Sequence, residues 1–519
     1  EIRFGFVGPG PAGGEAAFIP HLDLGFRWDR PHPGPFIWGK IEPVKGFYDF
    51  SETDLYVKKA QELGIRVMAT IWPYAEWDQE YWRQQPGWQA SQGFEELLPE
   101  SRYKPHDMEA YKAFVRALVE RYDGDGVNDM PGLLQPIKHW EVINEPEMGL
   151  KGENLNFFRG TPADYLEVVK ATYEAVKEAD PEAKILNGGI AYVPETADEW
   201  GLFWGEFFNL GGGQYIDIIT FHNLNPHVSK ALERLKGNLK AHGIDKPIWL
   251  TELQVAEGFD LEFGMIGEEE QAELVVKACV EGFAGGIEKI FYTAYMESSQ
   301  VPENLAKSAL IRADGTPKKA YYAYKTMIAL LEGFSSVEAL DEGLYRFSLP
   351  DLEVYVLYPG VRLPQTVTGK ILAVNLEGCS ELTEADTFSA PTSLTFIVHG
   401  SEEKLRELQR RLSEALGREG VEASSATVTV GSIEVAQGEF SHTIIYPLEQ
   451  SCKFTIPVKN VGSEKVRLHP SISGVPEEWI CIGGGDLVLE PGEEGYITSV
   501  SYTHLRAHET SLHLVCRLL

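Results

Sequence analysis

The sequence is poor in cysteine: five in 519 residues, at Cys279, Cys379, Cys452, Cys481 and Cys516. They are too few and too scattered for a disulfide scaffold or a zinc site. Cys452 and Cys481 share one β-rich region, where a bridge and two buried thiols are both open. Long apolar runs are absent as well, so no membrane-spanning helix is expected. The opening "EIRFGFVG" reads as a strand and not as a signal peptide. Positive charge is scarce: 46 Lys and Arg stand against 78 Asp and Glu, a net −32. That balance argues against nucleic acid and anionic membranes as partners, and it suits a neutral substrate. A Gly-rich phosphate loop is missing too. "GPGPAGG" contains G-x-G, but its prolines and the lack of a following helix pattern weaken that reading.

What is present is the composition of a globular protein, 43% apolar and 24% charged, long enough for two to four domains. Over the first 330 or so residues, short apolar runs alternate with amphipathic ones. The strand candidates are Arg3–Val7, Phe26–Asp29, Arg66–Ile71, Ile137–Ile143, Lys184–Asn187, Ile216–Phe221, Ile248–Thr251 and Lys289–Thr293. All are rich in Ile, Val, Phe or Trp, as strands buried on both faces should be. Among the helices, one is expected to start at Ser51 with Asp54 three residues on, and another at Thr161 followed by Pro162. Eight strands with helices between them predict an α/β fold, a (β/α)8 TIM barrel over 1–332, with a doubly wound open sheet as the alternative.

From Gly333 the period changes to two. A small all-β module is expected over 333–400, a charged helical linker or packed spacer over 401–425, and a β-sandwich over 426–499. "PVKNVGSEKV" and "LEPGEEGYI" resemble the immunoglobulin-like domains of bacterial secreted enzymes. A secreted, cell-surface or periplasmic location is therefore expected. "VSYTHLRAHET", at 500–510, resembles translated sequencing-adapter read-through; 500–519 is read as non-native, the alternative being an ordinary terminal strand.

"HWEVINEPEMG" puts Asn144-Glu145-Pro146 directly after an apolar strand. Pro146 cannot donate to a sheet, so the strand stops near Glu145 and leaves a carboxylate at its carboxyl end. "KPIWLTELQV" repeats the grammar with Glu252. By strand count these are the fourth and seventh strands, across the mouth of a barrel from one another. Two opposed carboxyls, one protonated and one ionised, are what glycoside hydrolysis requires.

The ordered set "GFRWDR", "WEVINEP", "WLTEL" and "IRADGTPKKAYYAY" resembles glycoside hydrolase clan A, the retaining β-glycosidases, and is closest to its family 39 and family 5 types. The resemblance implies a glycosidase with Glu145 as acid/base and Glu252 as nucleophile, acting on a poly- or oligosaccharide without an organic cofactor. It implies that Asn144 donates to the sugar 2-hydroxyl. Arg30, five residues after Gly25, would hold the nucleophile ionised, and His222 would stand near it. Trp38, Trp72, Tyr74 and Trp77 flank strand ends as candidates for sugar stacking or for core. Many clan members carry tyrosine where Leu224 stands, and tryptophan on strand eight, where this chain offers Tyr292 or Tyr295. A transglycosylase and a non-catalytic carbohydrate-binding scaffold share this fold and are the alternatives. Finally, "RYDGDGVNDMPG" spaces Asp123, Asp125 and Asp129 like a calcium loop, although Arg121 takes the first ligand position. A structural calcium and a plain polar turn are both open.

Overall fold

The computed structural model describes residues 2–150, 155–260, 262–298, 303–416 and, in the C-terminal region, 426–429, 433–435, 440–446, 452–460, 465–473, 480–483, 487–501 and 510–518. Eight parallel strands close on themselves: β1 (Phe4–Gly8), β2 (Trp28–Pro31), β3 (Arg66–Val67 and Ala69–Ile71), β4 (His139–Val142), β5 (Lys184–Leu186), β6 (Ile219–Asn223), β7 (Ile248–Leu253) and β8 (Ile287–Tyr292). The ladders run β3–β2–β1–β8–β7–β6 on one side and β3–β4–β5 on the other. A bridge between Leu186 and Ile218 joins β5 to β6 and completes the (β/α)8 barrel. The doubly wound alternative is thereby excluded. The third strand breaks at Met68, whose N–H goes back to the Asp29 carbonyl, so one strand serves two ladders.

The helix starts follow local chemistry, with one correction. Thr161 caps Pro162–Ala179 in a reciprocal box with Asp164. Ser51 does not cap its helix: Phe50 stands at the cap position, and the Ser51 N–H binds Asp49. Asp54 is instead drawn to Arg121 and Tyr122. A tertiary ion pair has won over a local cap.

After the barrel, six antiparallel strands between Ser336 and Gly400 form one sheet. Helix Glu402–Leu416 buries Leu405, Leu408, Leu412 and Leu416, so it packs as part of the core and does not merely link. The sheet and the barrel share that core. Phe334 stands between Phe283 of the barrel and Phe347 of the sheet, with ring centroids 5.1 and 5.0 Å away. Tyr358 donates to Glu281 on a barrel helix.

Beyond 426 the described strands form two further sheets. Thr510–Leu518, in the stretch read as non-native, pairs with both Phe440–Tyr446 and Val466–Ser473. The side chains of Cys452, Cys481 and Cys516 lie outside the described residues, and so does the question of a bridge. Cys279 is a buried free thiol, and Cys379 is exposed. Among the described residues, no helix is long and apolar enough to cross a membrane.

Candidate active site

The site is built where β4, β6 and β7 end. Pro146 stops β4, and the chain turns sharply there: Ile143 and Glu145 take φ of 65° and 40°. Neither residue favours that region, and each costs roughly 1–3 kcal/mol that the surrounding packing must hold. The loop after β5 supplies part of that hold. Gly188 accepts the Glu145 N–H on its carbonyl. A Cβ at Gly188 would meet the Val142 carbonyl at 2.7 Å, and one at Gly189 (φ 49°) would meet His222 Nε2 at 2.2 Å. Only glycine lets these three strand ends approach so closely.

Arg30 on β2 is fully buried and organises the floor. Its Nε and Nη2 donate to Glu141 Oε2 at 3.0 and 2.8 Å. Nη1 donates to Glu252 Oε1 at 2.8 Å, and Nη2 also reaches Asn144 Oδ1 at 2.6 Å. Thr70 adds a bond to Glu141 at 2.6 Å. With its carbonyl oxygen so engaged, the Asn144 side chain has its amide N–H groups left to donate.

Glu145 is in a different setting. Its Oε1 lies 2.6 Å from His222 Nδ1, and the same nitrogen is 3.8 Å from Glu252 Oε1. One oxygen each of Glu145 and Glu252 and that nitrogen all lie within 4.8 Å of one another. Burial pushes the Glu145 carboxyl up to about 7, with Arg30 pulling weakly the other way. Burial takes His222 down to about 4, so its imidazole is neutral at neutral pH. Glu145 therefore keeps its proton to near neutrality, while Glu252 shares a cation.

Two carboxylates escaped the sequence reading. Glu141 sits inside β4 between Trp140 and Val142; a charged residue in an apolar strand was the available signal. Burial raises its pKa, with Arg30 opposing. Glu147 accepts from Trp204 Nε1 at 2.7 Å and from the Ala191 N–H at 2.8 Å, pinning the loop after Glu145. Burial raises it to about 8.

The aromatic candidates behave differently. Trp38, Trp72, Tyr74 and Tyr292, the first two and the last expected at the substrate, are fully buried. Trp38 donates to Glu42, Trp72 to the Pro33 carbonyl, Tyr74 to Phe157 and Tyr292 to Ser308. Trp77 is partly buried and binds the Glu42 carbonyl, while Tyr295 donates to Asp23. Leu224 is exposed.

Asp123, Asp125 and Asp129 do converge, with one oxygen of each within 4.8 Å of the others. Every one accepts loop amides: Asp123 from Asp125, Asp125 from Val127, and Asp129 from Gly124 and Gly126. These bonds account for the turn.

No family model and no curated protein matches this sequence. Solved structures do match its fold. A family 39 glycoside hydrolase from the gut symbiont Bacteroides cellulosilyticus WH2 aligns with a TM-score of 0.52 at 16% identity, over 77% of this chain and 81% of that one. The barrel has the fold of the clan A glycoside hydrolases. A glucosidase from Croceicoccus marinus aligns at 0.50 and 13% identity, over 99% of this chain and 94% of its own. A conserved exported protein from Bacteroides fragilis aligns at 0.50 and 12%, over 72% and 88%. At such identities the likeness concerns the fold, and the chemistry must be argued from the residues.

Proposed function

We propose that this protein is a retaining β-glycoside hydrolase. The observation that carries the reading is the pair Glu145 and Glu252, with oxygens within 4.8 Å across the barrel mouth and unequal surroundings. Retaining enzymes hold their carboxyls about 5–5.5 Å apart and inverting ones about 6.5–9.5 Å, to admit a water. A pair whose nearest oxygens come within 4.8 Å supports the retaining reading. Glu252 attacks the anomeric carbon as the bond to the leaving oxygen breaks, and Glu145 gives that oxygen its proton. A glycosyl ester of Glu252 results. Glu145, now ionised, takes a proton from water, whose oxygen displaces Glu252 and frees the sugar with net retention. Asn144 donates to the 2-hydroxyl, a bond that strengthens as positive charge grows on the ring. Arg30 Nη1 donates to Glu252 and holds its carboxylate in place for attack.

The test is a panel of aryl β-glycosides (xyloside, glucoside, galactoside, mannoside, arabinoside) with wild type and Glu252→Ala, adding azide to the variant. Turnover by wild type, and an α-glycosyl azide from the variant, are expected and would also name the sugar. Inverted product, or a Glu252→Ala enzyme as active as wild type, would overturn the mechanism. Sugar binding that survives without any turnover, on aryl or oligomeric substrates, would point to a non-catalytic scaffold.

A further inference from the structure

Between β7, which carries Glu252, and the helix that follows it, the chain makes a small hairpin on the rim of the barrel. Gly258–Asp260 pairs antiparallel with Gly264–Ile266, with Phe259 opposite Met265. Those two side chains are 74% and 70% exposed, and of the paired residues only Ile266 is buried. A two-stranded hairpin with so little core of its own is marginal in water, so contacts outside it must hold it.

The hold comes from the connection after β6. His227 stands at the cap position of helix Val228–Ala241. Its backbone is fixed, the N–H donating to Asn225 Oδ1 at 2.9 Å. Its ring lies flat on Phe263, with centroids 5.0 Å apart and planes 9° from parallel. Nε2 stands 2.9 Å from Asp260 Oδ2, and Nδ1 stands 3.2 Å from Glu262 Oε2. Asp260 also takes the N–H groups of Glu262 and Phe263, at 2.8 and 3.0 Å. The carboxylate that shapes the hairpin turn is thus the one tied to the ring.

Among the described residues, Asp260 and Glu262 are the carboxylates in ion-pair reach of the ring, and Lys230, on the same helix as His227, pairs with Glu262. Lys230 holds Glu262 below the ordinary carboxylate value. Burial works against the charge on Asp260, but the two backbone N–H groups and His227 hold it low as well. Both groups therefore stay anionic at neutral pH. An imidazole donates from both nitrogens only when protonated; the neutral ring must turn a lone pair on one of these anions. The arrangement is that of an imidazolium. We propose that the hairpin is a proton-operated flap on the rim beside Glu252, latched to the helix after β6 while His227 carries both protons and released when it gives one up. Gly258 supplies a hinge at the base, at φ 129° with open space where a side chain would stand. The latch needs no hydrolytic chemistry, so it holds or fails independently of the hydrolase reading.

Hydrogen exchange on the full chain, read by mass spectrometry and corrected for the intrinsic pH dependence of amide exchange, measures the flap directly. Histidine changes charge between about pH 5 and 8. Protection over 258–266 should fall about threefold or more from about pH 5.5 to about pH 8, while peptides from helix Glu268–Ala284 keep theirs. His227→Gln, which carries no charge, should show the low protection at both pH values. His227→Arg, which keeps a charge and donors for both carboxylates, should show the high protection at both. Equal wild-type protection at the two pH values would overturn the latch, and so would a pH dependence that survives in His227→Gln. An arginine variant as open as the glutamine one would overturn it too, because the ring stack and not the charge would then be what holds the flap.

Discussion

Replacing Glu145 by glutamine should make the protein more stable above neutrality while it destroys activity. The wild-type carboxyl ionises near 7, against an ordinary 4.5, because it is buried. A carboxyl whose folded pKa is raised stabilises the fold below its unfolded value, and that contribution is lost as pH rises through the folded one. Ionising Glu145 in place, from 4.5 to about 7, therefore costs the wild type up to about 3 kcal/mol at pH 8. Glutamine has the same shape, can still bond His222, and does not ionise. Glu145→Gln and wild type should melt together near pH 4 and diverge through pH 5–7. Above that the variant should lead by about 6 °C, taking about 2 °C per kcal/mol for a domain of this size. Thermal melts across pH read this directly. A difference that stays flat with pH, or a variant less stable at pH 8, would refute the argument. The same variant should lose about 10²–10⁴ in rate on substrates with poor leaving groups. Wild-type kcat/KM should fall as pH rises past about 7, where the acid loses its proton.

Arg30→Met leaves Glu141 buried without its cation and should cost about 3–5 kcal/mol, read by denaturant unfolding; a loss below about 1 kcal/mol would show that the ion pairs are not what holds the floor. Truncation after Gly333 bares Phe283 and parts Glu281 from Tyr358, so the shortened chain should aggregate, as light scattering will show. A soluble and active barrel would mean the shared core is dispensable. Because loop amides already engage Asp123, Asp125 and Asp129, calcium and its chelation should leave the melting temperature unchanged. A rise on adding calcium would show an ion site there.

The barrel strands were legible because burial on both faces makes them apolar runs, and all eight fall within three residues of where the pattern puts them. The two glutamates were legible for a different reason: a proline or a change of grammar ends the strand and leaves the carboxylate at its carboxyl end. The aromatics were not legible in the same way. Trp72 and Tyr292 stand at strand ends as a sugar-stacking residue would, yet residues distant in sequence, Pro33 and Ser308, take their polar atoms. Exposure of a rim side chain depends on how long loops pack over it, and one sequence carries no local mark of that. Glu141 was readable in principle, since a carboxylate inside an apolar strand demands a partner, and Arg30 was the buried cation to look for.

Two glutamates with the same sequence grammar end in different surroundings, and the allocation of one guanidinium explains it. Arg30 is fully committed: Nε and Nη2 to Glu141, Nη2 to Asn144 and Nη1 to Glu252. Among the described residues, the Glu145 side chain is met by the His222 imidazole, which burial keeps uncharged. On this view Glu141 holds the cation on the nucleophile's side and away from the acid. Glu141→Gln loosens that tie. Arg30 then has freedom to lean toward Glu145, whose pKa a nearer cation lowers. The basic limb of the kcat/KM profile should move down by about half to one pH unit, while the Glu252→Ala azide product in the same background keeps its α configuration. A limb that stays in place would mean that packing around Glu145, and not the placement of Arg30, sets the proton affinity of the acid.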